Sequence, residues 1–166
     1  MRVRSVHERA FPAPLVTIGR LIDSLASEND QLWPRDRWPA MRFDRQLCVG
    51  ASGGHGPIRY FVEAYGPGRS VRFRFTHPSG FDGFHGYECH EDGSAETVLR
   101  HVLEVNLTGS ARFSWPLVFR PLHDALIEDS LERASTYVGA ATEGRKWSIR
   151  VRLLRWLLRR VGVRSR

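Results

Sequence analysis

The sequence predicts an α+β fold in which an antiparallel sheet of six to seven strands packs against one long helix near the C-terminus. The helix is predicted over residues 111–138, where apolar side chains recur at steps of three and four and share one face. The charged residues Glu128, Asp129, Glu132 and Arg133 are expected to lie largely off that face. A run of strand-like segments precedes this helix, and each strand needs a buried partner for one of its faces. No other segment is long enough to serve all of the strands.

The first part of the chain is predicted to hold one strand and one helix. Residues 2–10 alternate loosely, as a strand does. Pro14 suits the first turn of a helix, and an apolar stripe continues that helix to about Ala26. Residues 28–46 then hold at most one short helix followed by irregular chain. We expect Trp33 and Trp38 of this connection to cap one end of the core, because tryptophans in a Pro-rich connection seldom stay in water.

Further strands are predicted over residues 47–51, 58–65, 71–75, 84–91 and 96–107. The glycines from Gly50 onward are expected to break or bulge the first of them. Residues 81–85 are expected to form a hairpin loop, with a gate at the mouth of a cavity as the alternative. Pro116 and Pro121 should kink or break the first half of the long helix.

The positive charge of the protein is concentrated at its C-terminal end. The formal net charge is +7, yet residues 144–166 contain nine Lys or Arg and no acidic residue. The remaining chain then has 16 basic against 18 acidic side chains, a net charge of −2. This distribution argues against a nucleic-acid-binding domain and predicts a domain over residues 1–143 with a basic tail over residues 144–166.

The cysteine content and the hydropathy pattern indicate a cytoplasmic protein. Cys48 and Cys89 are the only cysteines and form neither a metal-binding pair nor a disulfide framework, so both thiols should be reduced. The first residues lack the apolar stretch of a signal peptide, and no run of 18 apolar residues predicts a membrane span. The 166 residues, 42% of them hydrophobic, fit one globular domain.

The order of elements, together with four segments, resembles the START-like superfamily, also called SRPBCC, which includes polyketide cyclases and plant pathogenesis-related proteins. The segments are the opening strand leading into Phe11-Pro-Ala-Pro14, Val62-Glu-Ala-Tyr65-Gly-Pro-Gly68, Leu99-Arg-His-Val-Leu-Glu104 and the long helix. The resemblance covers residues 2 to about 138. It implies a helix-grip fold, a curved antiparallel sheet around the C-terminal helix that encloses a cavity for an apolar or amphipathic ligand.

Strand alternation predicts which side chains face that cavity. The arginines of residues 71–75 must face water, which turns the apolar residues inward, and the same reasoning places Ala64 inside. Together with the helix, the predicted ligand-binding residues are Tyr60, Val62, Phe73, Phe75, His85, Tyr87, His101, Leu103, Leu122, His123 and Leu126. The plainer interpretation is that an inward histidine or tyrosine is only a hydrogen-bonded core residue.

Three functions fit these residues. The first is binding or transport of a hydrophobic or lipid-like small molecule without catalysis. The second is a polyketide cyclase or aromatase-like enzyme, with His101, His85 or Tyr60 moving protons. The third is a tail-driven interaction module with a filled core. No cofactor is expected, and no metal site is predicted because the histidines lack helical metal-ligand spacing.

The basic tail is predicted to form an amphipathic helix over residues 146–161. Such a helix can lie in an anionic membrane interface, with apolar residues inserted and arginines at the head groups. The candidate membrane-binding residues are Trp147, Arg152, Arg155, Trp156 and Arg159. The alternatives are a helix packed on its own domain or on a partner, and a disordered end. The tail could therefore hold the protein at the inner membrane surface.

Overall fold

The structure of the protein is a computed structural model that describes residues 1–93, 96–140, 144 and 146–160, except the side chain of Arg159. Its curved sheet has seven strands in the order β1-β7-β6-β5-β4-β3-β2, and every neighbouring pair is antiparallel. The strands are β1 (Arg2–Phe11), β2 (Arg42–Phe43), β3 (Ser52–His55), β4 (Ile58–Gly66), β5 (Ser70–His77), β6 (Phe81–Glu91) and β7 (Thr97–Leu107). The predicted fold class and strand number are confirmed.

In the part of the chain that the structure describes, four α-helices accompany the sheet. α1 (Leu15–Asp23) begins directly after Pro14, as predicted, and the long helical segment consists of α2 (Ala111–Ser114), a π-helical turn at Trp115–Phe119 and α3 (Arg120–Tyr137). Pro116 has no N–H and its ring crowds the preceding turn, so regular α-helical bonding is lost there. The expected break in the helix is confirmed, and it takes the form of a wider turn. α4 (Ile149–Arg160) lies in the basic tail.

The strand predicted over residues 47–51 was wrong, because those residues form bends and turns and the strand lies at Ser52–His55. Gly53 pairs with Phe43 and Tyr60, and Gly54 pairs with Arg42 and Arg59. A Cβ atom at either glycine would collide with the backbone of a neighbouring strand. These glycines therefore belong to β3 itself, because they let the neighbouring strands approach closely. The sequence analysis had expected them to break or bulge a strand.

The inward placement of Ala64 was also wrong. β4 has a β-bulge between Val62 and Ala64, so Ala64 pairs with Arg72 on the outer face and is exposed. The extra residue turns Tyr65 inward instead, and its hydroxyl donates to the Asp23 carboxylate at 2.8 Å. One inserted residue reverses every later side chain in a strand, which simple alternation cannot anticipate.

Residues 81–85 are neither a loop nor a gate. β6 begins at Phe81 and pairs with β7 from Leu107 onward, so the whole segment is strand.

Within the fully described residues 28–46, the structure has no helix and only the short β2. Trp33 and Trp38 are buried there, as the prediction of a core cap required.

α3 is covered on two sides, which changes the burial predicted for its acidic residues. One face packs on the sheet, and the other meets the link that carries Trp38 and the start of the tail at Trp147. Asp129 was expected to lie off the buried stripe, but it is only 3% exposed. The second covering layer could not be inferred from the periodicity of α3 alone.

The tail packs on the domain through one side of α4. Val151 is buried in the main core, and Trp147 packs against that core. Residue 143, at which the predicted domain ends, lies outside the described part of the chain. No helix among the described residues is both long and apolar enough to cross a bilayer.

Candidate functional site

A cavity of about 770 Å³ lies between the curved sheet, the π-helical turn, α3 and α4. Its walls are mostly aromatic and aliphatic, and they include Trp33, Trp38, Ile58, Phe75, Phe81, Leu103, Trp115, Val118, Phe119, Leu122, Leu126, Ile127 and Leu158. Exposed Arg35, Asp36 and Arg42 line the end that meets solvent. The third alternative, an interaction module with a filled core, does not fit this part of the structure, because the sheet, the π-helical turn and α3 leave the cavity between them.

The predicted ligand-binding residues divide into two groups. Those that line the cavity are Phe75, His85, His101, Leu103, Leu122, His123 and Leu126. Those packed in the core beside it are Tyr60, Val62, Phe73 and Tyr87, all of them at most 1% exposed. Tyr87 exchanges a 2.9 Å hydrogen bond with Ser130, whose hydroxyl lies 3.0 Å from the Leu32 carbonyl oxygen. The plainer interpretation, a tyrosine satisfied within the core, therefore describes Tyr87.

Two lining residues that matter for the chemistry were missing from the predicted set. His55 reaches the cavity from β3, and its Nδ1 lies 3.0 Å from the Tyr60 hydroxyl. Trp115 comes from the π-helical turn, and its ring lies 5.8 Å from the ring of His123. His55 was missed because its glycine-rich segment did not resemble a strand. Trp115 was missed because the periodicity of a regular helix does not describe a π-helical turn.

Four histidines, His55, His85, His101 and His123, line one side of the cavity. Nδ1 of His85 lies 3.4 Å from Nε2 of His101, and the ring of His101 lies 5.1 Å from that of His123. Tyr60 completes the row, since its ring lies 4.8 Å from His85 and 5.7 Å from His55. The cavity thus has apolar walls and one polar side, as small-ligand sites usually do.

Three nitrogen atoms in this row have no hydrogen-bond partner in the described part of the chain. They are Nε2 of His85, Nδ1 of His101 and Nε2 of His123, and all three are buried. A buried polar group without a partner costs about 1–3 kcal/mol. These three nitrogen atoms have almost no accessible surface, so the histidine rings contribute their other atoms to the cavity wall.

Behind His123 lies a cluster of charged groups that links the cavity to the protein surface. Nδ1 of His123 lies 3.2 Å from Oδ1 of Asp124, and the same oxygen is 3.3 Å from Nε2 of His7. The other ring nitrogen of His7, Nδ1, is 2.8 Å from Oε1 of Glu128. His7 belongs to the inner face of β1 and the other three to α3. The sequence did not suggest this contact, because nothing fixed where β1 would lie on α3.

Burial and hydrogen bonding shift the pKa values of these histidines in opposite directions. Burial lowers the pKa of His55 to about 3 and holds the pKa values of His85 and His101 well below their usual range, so all three are neutral at pH 7. Burial also lowers the pKa of His123 and outweighs its bond to Asp124. By contrast, the hydrogen bond to Asp124 raises the pKa of His7 in spite of burial, and the bond to Glu128 adds to this effect.

The donor atoms of His7, His123 and Asp124 lie within 4.8 Å of one another, so this group could hold a metal ion. The same atoms already satisfy one another by hydrogen bonds, and Arg120 lies 3.7 Å from the second oxygen of Asp124. A cation next to a carboxylate opposes metal binding there. The hydrogen-bonded cluster therefore accounts for this geometry without a metal ion.

The candidate membrane-binding residues of the tail divide between the two faces of α4. Trp147 donates its indole N–H to Asp129 at 2.9 Å, and the Arg155 guanidinium lies over the rings of Trp38 and Trp147. Arg155 also donates to the Arg37 carbonyl oxygen. Arg152 and Trp156 are exposed, whereas the Arg159 side chain is outside the described residues. The inner face of α4 thus packs on the domain.

The outer face of α4 carries an apolar stripe in contact with solvent. Ile149 is 83% exposed and Leu153 is 55% exposed, and Trp156 and Leu157 continue the same face. Exposed arginines flank this stripe at positions 150, 152 and 160. Phe113 and Leu117, from α2 and the π-helical turn, are also exposed, and the Arg150 guanidinium donates to the Leu117 carbonyl oxygen at 3.0 Å.

Comparison with known proteins identifies the fold. No protein-family model and no curated protein matches the sequence. Among solved structures, a conserved protein of unknown function from Enterococcus faecalis is 17% identical with a TM-score of 0.60, covering 97% of this chain and 87% of its own. CalU16 from Micromonospora echinospora is 12% identical with a TM-score of 0.55, covering 97% and 95%. A point mutant of norcoclaurine synthase from Thalictrum flavum, bound to a transition-state analogue, is 14% identical with a TM-score of 0.56, covering 81% and 98%.

The chain has the helix-grip fold. The prediction made from the order of elements is confirmed at the level of architecture. At identities of 11–17%, the likeness concerns the fold and not the chemistry of the cavity.

Proposed function

We propose that this helix-grip protein, a START-like superfamily member by its element order, binds a hydrophobic small molecule in the cavity between its sheet and α3. The observation that carries the proposal is a cavity of about 770 Å³ that has apolar walls and four histidines along one side. Burial of apolar ligand surface would supply most of the affinity, and the imidazoles would orient a polar end. The ligand is therefore an apolar molecule, lipid-like or polycyclic, with at least one oxygen or nitrogen atom.

Native mass spectrometry of the protein purified from its own host tests the proposal. We expect a co-purified small molecule in the wild type. Leu103→Trp should remove it, because Leu103 lines the cavity and a larger side chain would fill the space. Val16→Trp is the matched control, since Val16 lies on α1 and is 60% exposed. Equal ligand occupancy in both variants would contradict binding in the cavity.

A polyketide cyclase or aromatase-like enzyme is the second candidate function. Polar pairs within hydrogen-bond reach in an otherwise apolar cavity favour it, namely His55 with Tyr60 and His85 with His101. Norcoclaurine synthase, which has the same architecture, is an enzyme. Substituting His85 and His101 by Phe should abolish turnover in an enzyme and leave ligand binding nearly intact in a carrier.

We also propose that α4 docks the protein on an anionic membrane. Its outer stripe of Ile149, Leu153, Trp156 and Leu157 is exposed and is flanked by arginines, the arrangement that binds lipid head groups and the outer part of the acyl region. Arg155 and Leu158 of the same helix line the cavity. Docking through α4 would therefore bring the cavity to the membrane surface, where an apolar ligand can be exchanged.

Flotation with phosphatidylserine-containing vesicles tests this docking. We expect the wild type to float at physiological salt, and Ile149→Ser combined with Leu153→Ser to stay at the bottom of the gradient. Val16→Ser, which removes an exposed apolar residue on α1, should float like the wild type. Equal recovery of both variants, or equal binding to uncharged phosphatidylcholine vesicles, would contradict docking by α4 on anionic lipid.

A further inference from the structure

The cavity is lined by more positive than negative charge, and part of this charge lies at its solvent-facing end, which we call the mouth. Four of the residues that line the cavity are arginines and one is acidic. Arg35, Asp36 and Arg37 belong to the link between α1 and β2, Arg42 to β2 and Arg155 to α4. The chain before the basic tail has a net charge of −2, so the surplus of arginine is local to the cavity.

Two of these arginines have a structural role. Arg37 lies 3.0 Å from the buried carboxylate of Asp129, which compensates its charge. The Arg155 guanidinium lies 4.2 Å from the ring centre of Trp38 and 3.9 Å from that of Trp147. These contacts hold α4 against the link, and they account for the presence of both arginines without a ligand.

Arg35 and Arg42 have no such structural role. Both are exposed, and neither side chain makes a hydrogen bond or an ion pair within the part of the chain that the structure describes. Asp36 lies 3.3 Å from Arg133, which opposes its negative charge. Arg35 and Arg42 therefore place two positive charges without an acidic partner at the mouth of an apolar cavity.

The inner wall of the cavity offers no charge of its own. Burial keeps the pKa values of His55, His85, His101 and His123 below the usual range for histidine, so these rings are neutral at pH 7. A charged group placed there would lose its hydration and gain no opposite charge. At the mouth the same group keeps part of its water and lies near the arginines. A molecule with an apolar body and one anionic end would match both regions.

We propose that the cavity binds an anionic amphiphile, with its apolar body between the sheet and α3 and its anionic group at the mouth near Arg35 and Arg42. This inference rests on the proposed binding function, and it assigns the charge of the ligand and its orientation. A guanidinium binds carboxylate, sulfate and phosphate groups through the same N–H donors, so the class includes all three. Positive charge at the mouth of a low-dielectric cleft also draws anionic molecules toward it.

Decanoate and 1-decanol test the proposal, because they share one alkyl chain and differ in charge. With isothermal titration calorimetry at pH 7.5 and low salt, we expect the wild type to bind decanoate about 10-fold more tightly than 1-decanol. The difference should shrink at high salt, where exposed charges are screened. Octanoate should bind about 10-fold more weakly than decanoate, because each CH₂ group that leaves water contributes about 4-fold to the affinity.

Substitutions at the mouth should change the affinity for decanoate in opposite directions. Arg35→Gln combined with Arg42→Gln should lower it about 10-fold and leave the affinity for 1-decanol unchanged. Asp36→Asn should raise the affinity for decanoate, because it removes the negative charge that lines the cavity. Arg20→Gln is the matched control, since Arg20 is an exposed arginine on α1 outside the cavity. The double variant should unfold at the same urea concentration as the wild type, because neither guanidinium has a partner to lose.

The outcomes separate this proposal from the binding function and from membrane docking. Equal affinities for decanoate and 1-decanol, or an unchanged decanoate affinity in the double variant, would overturn the anionic assignment and leave hydrophobic binding in place. If the double variant also fails to float with phosphatidylserine-containing vesicles while its decanoate affinity is unchanged, the two arginines serve the membrane instead. Failure of decanoate to bind would overturn this proposal. Failure of 1-decanol as well, together with absence of any co-purified molecule, would overturn both this proposal and the binding function.

Discussion

At the scale of single residues, Asp129 connects three parts of the molecule. Its carboxylate accepts hydrogen bonds from the indole N–H groups of Trp38 at 2.6 Å and Trp147 at 2.9 Å, and Arg37 lies 3.0 Å away. A buried carboxylate is tolerated only when such partners replace its water. Asp129 therefore holds the irregular link and the tail against α3.

We expect Asp129→Ala to destabilise the protein by about 3–5 kcal/mol, because it leaves two indole N–H groups and one guanidinium without their acceptor. Urea unfolding followed by tryptophan fluorescence measures the change. Asp36→Ala provides the comparison, since its contact with Arg133 is mostly exposed and is worth at most about 1 kcal/mol. Similar losses for the two variants would show that Asp129 does not organise this junction.

The buried histidines predict a loss of stability in acid. Burial lowers the pKa values of His55, His85 and His101, so the unfolded chain binds protons at these sites that the folded protein does not. Each such group makes its full contribution to the free energy of unfolding above a pH of about 6.5, its pKa in the unfolded chain. As the pH falls below that value, the contribution is lost by up to about 1.4 kcal/mol per pH unit.

Urea unfolding between pH 7.5 and 5 checks this prediction. His85→Phe should reduce the slope of stability against pH, since it removes one buried group that must take up a proton on unfolding. Val16→Ser, which removes an exposed and uncharged side chain on α1, should leave the slope as it is in the wild type. A slope unchanged in His85→Phe would mean that His85 is protonated in the folded protein.

At the scale of elements, α4 has two faces with different partners. The inner face places Val151 on the main core, where Trp147 of the segment before α4 also packs, and the outer face presents Ile149, Leu153 and Trp156 to solvent. The two tryptophans of this segment therefore offer a matched comparison of packing and exposure.

We expect Trp147→Ala to lower the free energy of unfolding by about 2 kcal/mol or more, because it removes a ring packed on Trp38 and the hydrogen bond to Asp129. Trp156→Ala should change it by no more than about 0.5 kcal/mol. Chemical unfolding of both variants provides the measurement. The reverse order would mean that α4 packs on the domain through its other face.

At the scale of the whole molecule, the cavity exists because two helical layers cover different parts of the sheet. α1 packs over β5, β6 and β7, where Phe11, Leu21 and Leu99 belong to a filled core. Toward β2 and β3 the cover consists of the π-helical turn, α3 and the tryptophan-bearing link, and the cavity lies below them. A ligand there would connect elements that otherwise make few contacts.

Ligand binding should therefore stabilise the whole fold. A ligand at 100 times its dissociation constant adds about 2.7 kcal/mol to the free energy of unfolding if it binds only the folded protein. The probe is 2-tetralone, an apolar bicyclic molecule with one oxygen atom. We expect thermal unfolding of the wild type to shift upward with it and that of Leu103→Trp to stay unchanged. An equal shift in both proteins would place the ligand outside the cavity.

The sequence by itself determined the class of fold, most strand positions and the inward side chains of β5, β6 and β7. It could do so because a strand with one buried face alternates strictly, and a helix repeats every three to four residues. The break at Pro116 and the burial of Trp33 and Trp38 were predicted for equally local reasons.

Only the tertiary structure decided which of those side chains meet. It placed β1 against α3 and so brought His7 to Asp124. It also packed the tail against Asp129, so a charged residue of α3 became buried. The bulge in β4 and the close approach at Gly53 depend on the neighbouring strands. Contacts between different elements follow from how the layers stack, and no local period in the sequence encodes that.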